Sequence, residues 1–247
     1  MKAFIFKNLI IVFTVFSMYS LKSQHGDQLY KVTLLRAAPG DLLALIDALL
    51  VDLKADNNLG LTDALLIRHS QGDQWDLMLI DPISSMGDYF SEEQRTARTT
   101  SSAIERPYGD MFHHMVSFQE EAFVRGPTLE IFQEAAEFQL FHIEIFTALA
   151  GKQSELLSQR KNENQFYSGI DHRPNLIFTR VMGPSWDVFT LGGYTDLHDF
   201  AGPAVAFEEE DAAAKSAGFA GVNFIGSYLR SLLLDHHDTL GKKVAIQ

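Results

Sequence analysis

Residues 64–81 read ALLIRHSQGDQWDLMLID, and residues 175–192 read NLIFTRVMGPSWDVFTLG. Each stretch runs from apolar residues into an arginine (Arg68, Arg180), then through a short polar turn whose glycine stands three places before a tryptophan. Gly72 leads to Trp75 and Gly183 to Trp186, an aspartate follows each (Asp76, Asp187), and a second apolar run closes the unit. A glycine-bearing turn between two apolar runs is the signature of a β-hairpin. The chain has 2 tryptophans in all, and both fall in the same slot of the pattern. The reading is therefore a tandem duplication of a hairpin-containing unit.

Outward from the hairpins the order of elements repeats. LYKVTLLRA (29–37) alternates as a strand, Pro39-Gly40-Asp41 turns, and LLALIDALLVDLKAD carries apolar residues at helical spacing behind Asp41. LFHIEIFTAL (140–149) alternates cleanly as the matching strand, and GKQSELLSQRKNENQFY follows as a polar helix. MGDYFSEEQRTAR predicts a helix, TTSSAIERPYGD a polar, turn-rich insertion, and MVSFQEEAFVRGP (115–127) a fourth strand ending at Gly126-Pro127. TLEIFQEAAEF (128–138) predicts a connecting helix, 195–233 two further helices, and LLLDHHDTLGKKVA a final strand. Each half then reads β-α-β-β-α-β, the ferredoxin-like order. The expected boundaries are 28–127 for the first repeat, 128–138 for the connection and 139–247 for the second.

A ferredoxin-like half leaves one sheet face bare, and a second copy in the same chain can cover it. The fold class expected is α+β, with two tandem ferredoxin-like repeats closing face to face into a barrel with helices outside. This arrangement resembles the dimeric α+β barrel superfamily in a fused form, over roughly residues 28–242. The resemblance rests on the doubled β-α-β-β pattern and on RHSQGDQWD and HHDTL. It implies a protein akin to cofactor-independent monooxygenases, polyketide cyclases, isomerases, haem-handling enzymes or members without known activity. Fold alone does not choose among these.

Composition narrows the partners. The formal net charge is −12, which repels phosphate backbones and anionic lipid, so nucleic acid is not an expected partner. MKAFIFKNLIIVFTVFSMYSLKSQ opens the chain with Lys2 and Lys7 ahead of an apolar run and small residues near Ser20 and Ser23. That is the layout of a cleaved export signal (1–23), too short for the ~20 residues that span a bilayer. Export to the periplasm or exterior follows, with no stable membrane insertion after cleavage. Cysteine is absent, which excludes disulfides, thiolate catalysis and cysteine-ligated zinc. There is no phosphate loop, nucleophile elbow or HExxH motif.

The strand faces carry the candidate chemistry. If outward positions are the apolar ones, Phe141, Ile143 and Ile145 meet helices and His142 and Glu144 face the lumen. The same parity turns Lys31 and Thr33 inward. Arg68 and Arg180 hold equivalent places and would clamp a carboxylate, phenolate or enolate, with His142 as base and Glu144 beside it. The alternative is that these groups only pair with one another or reach solvent at the barrel ends. Trp75 and Trp186 line a pocket mouth, or pack structurally while their aspartates bind nearby amides. His69 falls on the side opposite Arg68, at the helices or the hairpin end. His236, His237 and Asp238 form the densest polar cluster, and adjacent strand residues point to opposite faces, so at most one histidine reaches the lumen. With His142 and Glu144 that histidine would make a two-histidine, one-carboxylate metal site, yet no compact ligand spacing supports it, and neither metal nor cofactor is expected. The functional expectation is a small aromatic or anionic organic molecule bound in the lumen of a monomer or homodimer. The rivals are a packed, non-catalytic barrel and a metal- or haem-binding one.

Overall fold

The computed structural model describes residues 25–58, 63–105 and 111–245. The expected export signal lies outside the described residues. The first half runs β1 (Gln28–Ala37), α1 (Leu42–Asn58), β2 (Leu65–Gln71), β3 (Leu77–Ile83), α2 (Met86–Tyr89), α3 (Glu92–Glu105), α4 (Met111–His114) and β4 (Val116–Gly126). α5 (Leu129–Ala136) connects to the second half, which runs β5 (Leu140–Ala148), α6 (Gln153–Gly169), β6 (Leu176–Met182), β7 (Val188–Tyr194), α7 (Leu197–Ala201), α8 (Phe207–Ser216), α9 (Ile225–Leu232) and β8 (Leu233–Lys243). Two readings need correction: α3 continues as helix to Glu105 where an irregular insertion was expected, and 195–233 holds three helices and a 3-10 turn where two helices were expected.

The eight strands close into one antiparallel barrel in the order β1-β3-β2-β8-β5-β7-β6-β4. Each half contributes a ferredoxin-like sheet, β4-β1-β3-β2 or β8-β5-β7-β6, and the two join at β2–β8 and β4–β6. Because strand directions alternate around the ring, both hairpin turns stand at one end of the barrel and α5 at the other. There α5 plugs the opening with Ile131 and with Phe132, whose ring lies 5.0 Å from that of Tyr30. The expected repeat is thus observed: two copies of one unit clasped through their helix-free faces.

Backbone hydrogen bonds fix how the copies align. The Asp76 amide donates to Leu35 O and the Asp76 carboxylate accepts from the Ala37 amide; Asp187 does the same to Phe146 O and the Ala148 amide. Leu45 N–H donates to Asp41 O as Leu156 N–H does to Lys152 O. Every equivalent pair is 111 residues apart, as are the two glycines and the two tryptophans. Gly72 (φ 115°) and Gly183 (φ 121°) adopt the left-handed conformation that glycine tolerates. Each also presses on the strand across a joint: a methyl group there would meet Asp238 O at 2.0 Å or Glu121 O at 2.4 Å.

Candidate functional site

The interior of the barrel is filled with apolar side chains. Tyr30, Val32, Leu34, Leu65, Ile67, Met78, Ile80, Val124, Phe141, Ile143, Ile145, Phe178, Phe189 and Leu191 form one buried apolar cluster, with Trp75 and Trp186 set at the hairpin end. The expected polar lumen is therefore a correction. Phe141, Ile143 and Ile145 point inward, while His142 and Glu144 share the outer, helix-covered face with Phe146 and Ala148. Lys31 and Thr33 likewise turn outward with Leu35 and Ala37. The reason is physical: the space enclosed by two sheets is further from water than the space beneath a helix, so the apolar row goes there.

What lies beneath the helices differs between the halves, and the fixed spacing lets it be read residue by residue. In the first half α1 lays Leu45, Ala48, Leu49 and Leu53 against Leu35, Ala37, Leu66 and Leu77, an apolar layer. In the second half α6 keeps Leu156 but has Gln159, Arg160 and Asn164 where α1 has Ala48, Leu49 and Leu53. On the sheet, Glu144 replaces Thr33, Thr190 replaces Leu79, Asn175 replaces Ala64 and His142 replaces Lys31. The substituted groups are buried: Gln159 is 0% exposed, Arg160 2%, Asn175 4% and Glu144 8%.

Glu144 is the hub. Its Oε2 accepts from Thr190 Oγ1 at 3.1 Å and from Arg160 Nη1 at 3.4 Å, and its Oε1 stands 3.5 Å from His236 Nε2. Burial drives the carboxyl upward, yet His236, Arg160 and His142 outweigh it and hold the group at about 2. Arg160 also donates through Nε to Gln159 Oε1 at 2.6 Å and through Nη2 to Glu163, while its guanidinium lies 4.7 Å over the Phe146 ring. His236 stacks on the same ring at 4.8 Å. One strand row away, His142 Nε2 meets Asp238 Oδ1 at 2.5 Å, and Phe200 of α7 leans on His142 at 5.3 Å and on Tyr194 at 5.1 Å. Among the described residues, the buried side-chain atoms without a hydrogen-bond partner are His172 Nε2, Asn175 Oδ1, His236 Nε2 and Thr239 Oγ1, all in the second half. Two of these atoms, Asn175 Oδ1 and His236 Nε2, lie in this layer, and a buried polar group left unpaired is costly enough to call for an explanation.

The structure thus brings together His142, Glu144, His236 and Asp238 from the expected set and scatters the rest. Arg68 and Arg180 are not equivalent, which is a correction: the constant spacing matches Arg180 to His69 and Arg68 to Thr179. Arg68 is exposed on the outer face, and Arg180 sits at the rim, 2.7 Å from Asp187. Lys31 pairs with Glu121 at 2.7 Å. His69 lies at the hairpin end, the second of its two expected places, on the inner side of the sheet and 5.7 Å from Trp75. Trp75 donates to Asp73 and Trp186 to Glu120, both indoles facing the barrel interior where packing on a helix was the structural alternative. His237 reaches Asp73 across the joint at 3.5 Å. Gln159, Arg160, Asn164, Asn175, Thr190 and Tyr194 were missed. The signal for Gln159, Arg160 and Asn164 was a polar helix in one repeat opposite an apolar helix in the other.

Among the described residues no group of three or more His, Asp or Glu side chains is arranged to hold a metal ion. Among the same residues no helix is long and apolar enough to cross a membrane.

No protein-family model matches the chain, and no curated protein matches its sequence. Solved structures do match in shape. An anthrone oxidase-like protein superposes with a TM-score of 0.57 at 10% identity, over 90% of this chain and 93% of the other. A mutant chlorite dismutase from Candidatus Nitrospira defluvii superposes with a TM-score of 0.50 at 8% identity, over 90% and 93%. At such identities the likeness is one of fold: the chain is a dimeric α+β barrel in fused form.

Proposed function

We propose, for a chain that closes two ferredoxin-like units into one α+β barrel within a single polypeptide, that it is an exported protein binding a small organic molecule. The site is the polar layer between α6 and the outer face of β5, β7 and β8. The observation that carries this reading is the divergence of the two copies: at matched positions one seals its layer with leucine and the other buries a charged, incompletely hydrogen-bonded network. Burying Glu144 and Arg160 costs desolvation that an apolar layer avoids, so their retention in one copy alone points to use. The two structural relatives, an anthrone oxidase-like protein and a chlorite dismutase, are in keeping with small-molecule chemistry on this fold.

The chemistry these residues support is proton transfer. Asp238 engages one nitrogen of His142 and thereby orients the ring, leaving the other nitrogen to take a proton from a bound molecule. Glu144, ionised at neutral pH, stabilises positive charge arriving on His142 or His236.

Thermal melts of the purified protein against a panel of aromatic and hydroxylated compounds test the reading, because a ligand bound only by the folded state raises the melting temperature. Compounds that stabilise the native chain should lose most of that effect in Glu144→Gln and His142→Phe, and keep it in the first-half control Thr33→Val. Stabilisation that survives both second-half variants, or disappears in Thr33→Val, would overturn it. A Soret band in the protein as isolated would favour the haem-binding rival.

A further inference from the structure

The guest expected from the sequence was aromatic or anionic, clamped by arginine. The arginines at the layer are already committed: each nitrogen of Arg160, Nε, Nη1 and Nη2, donates to Gln159, Glu144 or Glu163, and Arg173, 5.8 Å from the Tyr194 ring, donates to Asp199 and to Gly193 O. Glu144, Glu163, Asp199 and Asp238 outnumber the guanidiniums of Arg160 and Arg173, so a carboxylate entering the layer would meet like charge and find no open guanidinium.

A neutral polar guest has partners waiting. Gly192 pairs with His142 across β5 and β7. A methyl group on Gly192 would lie 2.6 Å from Asn175 Oδ1 and 3.1 Å from the Tyr194 hydroxyl, so only glycine lets these two polar groups lie down on the sheet together. Asn175 is 4% exposed and its Oδ1 accepts from nothing in the fold. Its backbone is secured separately: the Asn175 amide donates to Asn164 Oδ1 and the Asn175 carbonyl accepts from Asn164 Nδ2. The side-chain oxygen is therefore positioned but unused, beside a phenol that burial keeps protonated. Asp81, Ala64 and Ile83 stand at the matching positions of the first half, so the acceptor–hydroxyl pair belongs to the second half alone.

We propose that this pair above Gly192 is a subsite for an uncharged hydroxyl group, which donates its hydrogen to Asn175 Oδ1 and accepts one from the Tyr194 hydroxyl. The ligand class is a neutral hydroxylated compound, not a carboxylate. The proposal rests on the second-half layer being the binding site.

Ligand-observed NMR with four matched probes, 4-methylphenol, 4-methylbenzyl alcohol, 4-methylbenzoate and 4-methylanisole, tests it on the full chain. The two hydroxyl compounds should bind, and the benzoate and the anisole should bind at least about tenfold more weakly. Tyr194→Phe and Asn175→Ala should each weaken the hydroxyl compounds by roughly tenfold without weakening the anisole. Tyr194→Phe removes a single oxygen and keeps the ring, so it reads the subsite even where Asn175→Ala fails to fold. The proposal is overturned if the benzoate binds as tightly as the phenol, if hydroxyl binding survives both variants, or if none of the four binds. Glu144→Gln measured alongside tells the failures apart. Binding that depends on Glu144 but ignores Asn175 and Tyr194 removes the hydroxyl subsite and keeps the layer. Binding that ignores all three removes both.

Discussion

Glu144 and Thr33 occupy the same place in the two copies, one in the buried polar layer proposed as the site and the other in the layer sealed by leucines. The carboxyl of Glu144 is held at about 2, below the value of about 4.3 for an unfolded glutamate. On acidification the unfolded chain therefore takes up this proton first. The stabilisation is complete above about pH 5 and drains away as pH falls toward 2. Denaturant melts between pH 5.5 and 2.5 should show Glu144→Gln losing less stability over that interval than the native chain does. Arg160 gives the complementary case. Arg160→Met leaves Glu144 and Glu163 facing each other without their shared cation, and should cost about 3–5 kcal/mol in urea unfolding at pH 7.

At the level of elements, α1 and α6 show what sequence can and cannot reveal. Both helices were legible, as were the strands, the hairpins and the doubled order, because turn glycines and apolar spacing are local signals. The facing of the strands was not. β5 is buried on both sides, with Phe146 and Ile145 alike almost unexposed, so alternation separates two rows without saying which is inside. The register of the repeat is set by its glycine, tryptophan and aspartate, not by its arginines. Matching arginine to arginine broke the constant spacing that Gly72, Trp75 and Asp76 already set, and so hid the exchange of Leu49 for Arg160. Two substitutions separate the roles of the helices. Leu49→Ala should cost about 2–5 kcal/mol in denaturant unfolding and leave ligand binding unchanged. Phe200→Ala on α7 should do the opposite, with faster ligand association in stopped-flow mixing and a small change in stability, because this ring covers His142 and Tyr194 from a five-residue helix.

For the whole molecule, the two joints β2–β8 and β4–β6 are copies of each other, yet only one borders the site. Gly72 presses on the Asp238 carbonyl, and Asp238 holds His142; Gly183 presses on Glu121, which pairs with Lys31 in the first half. Gly72→Ala and Gly183→Ala should both lower the melting temperature, since each forces a side chain onto backbone at positive φ. Only Gly72→Ala should also weaken ligand binding, a pairing that calorimetry on the two variants checks directly. The hairpin end of the barrel offers one thing more. The molecule's entire complement of indoles, Trp75 and Trp186, is lodged there among the inward-facing side chains, away from the layer beneath α6. Ultraviolet-excited emission from this protein is thus a built-in gauge of whether the staves of the barrel stay shut, and guests arriving under α6 should leave its colour unchanged.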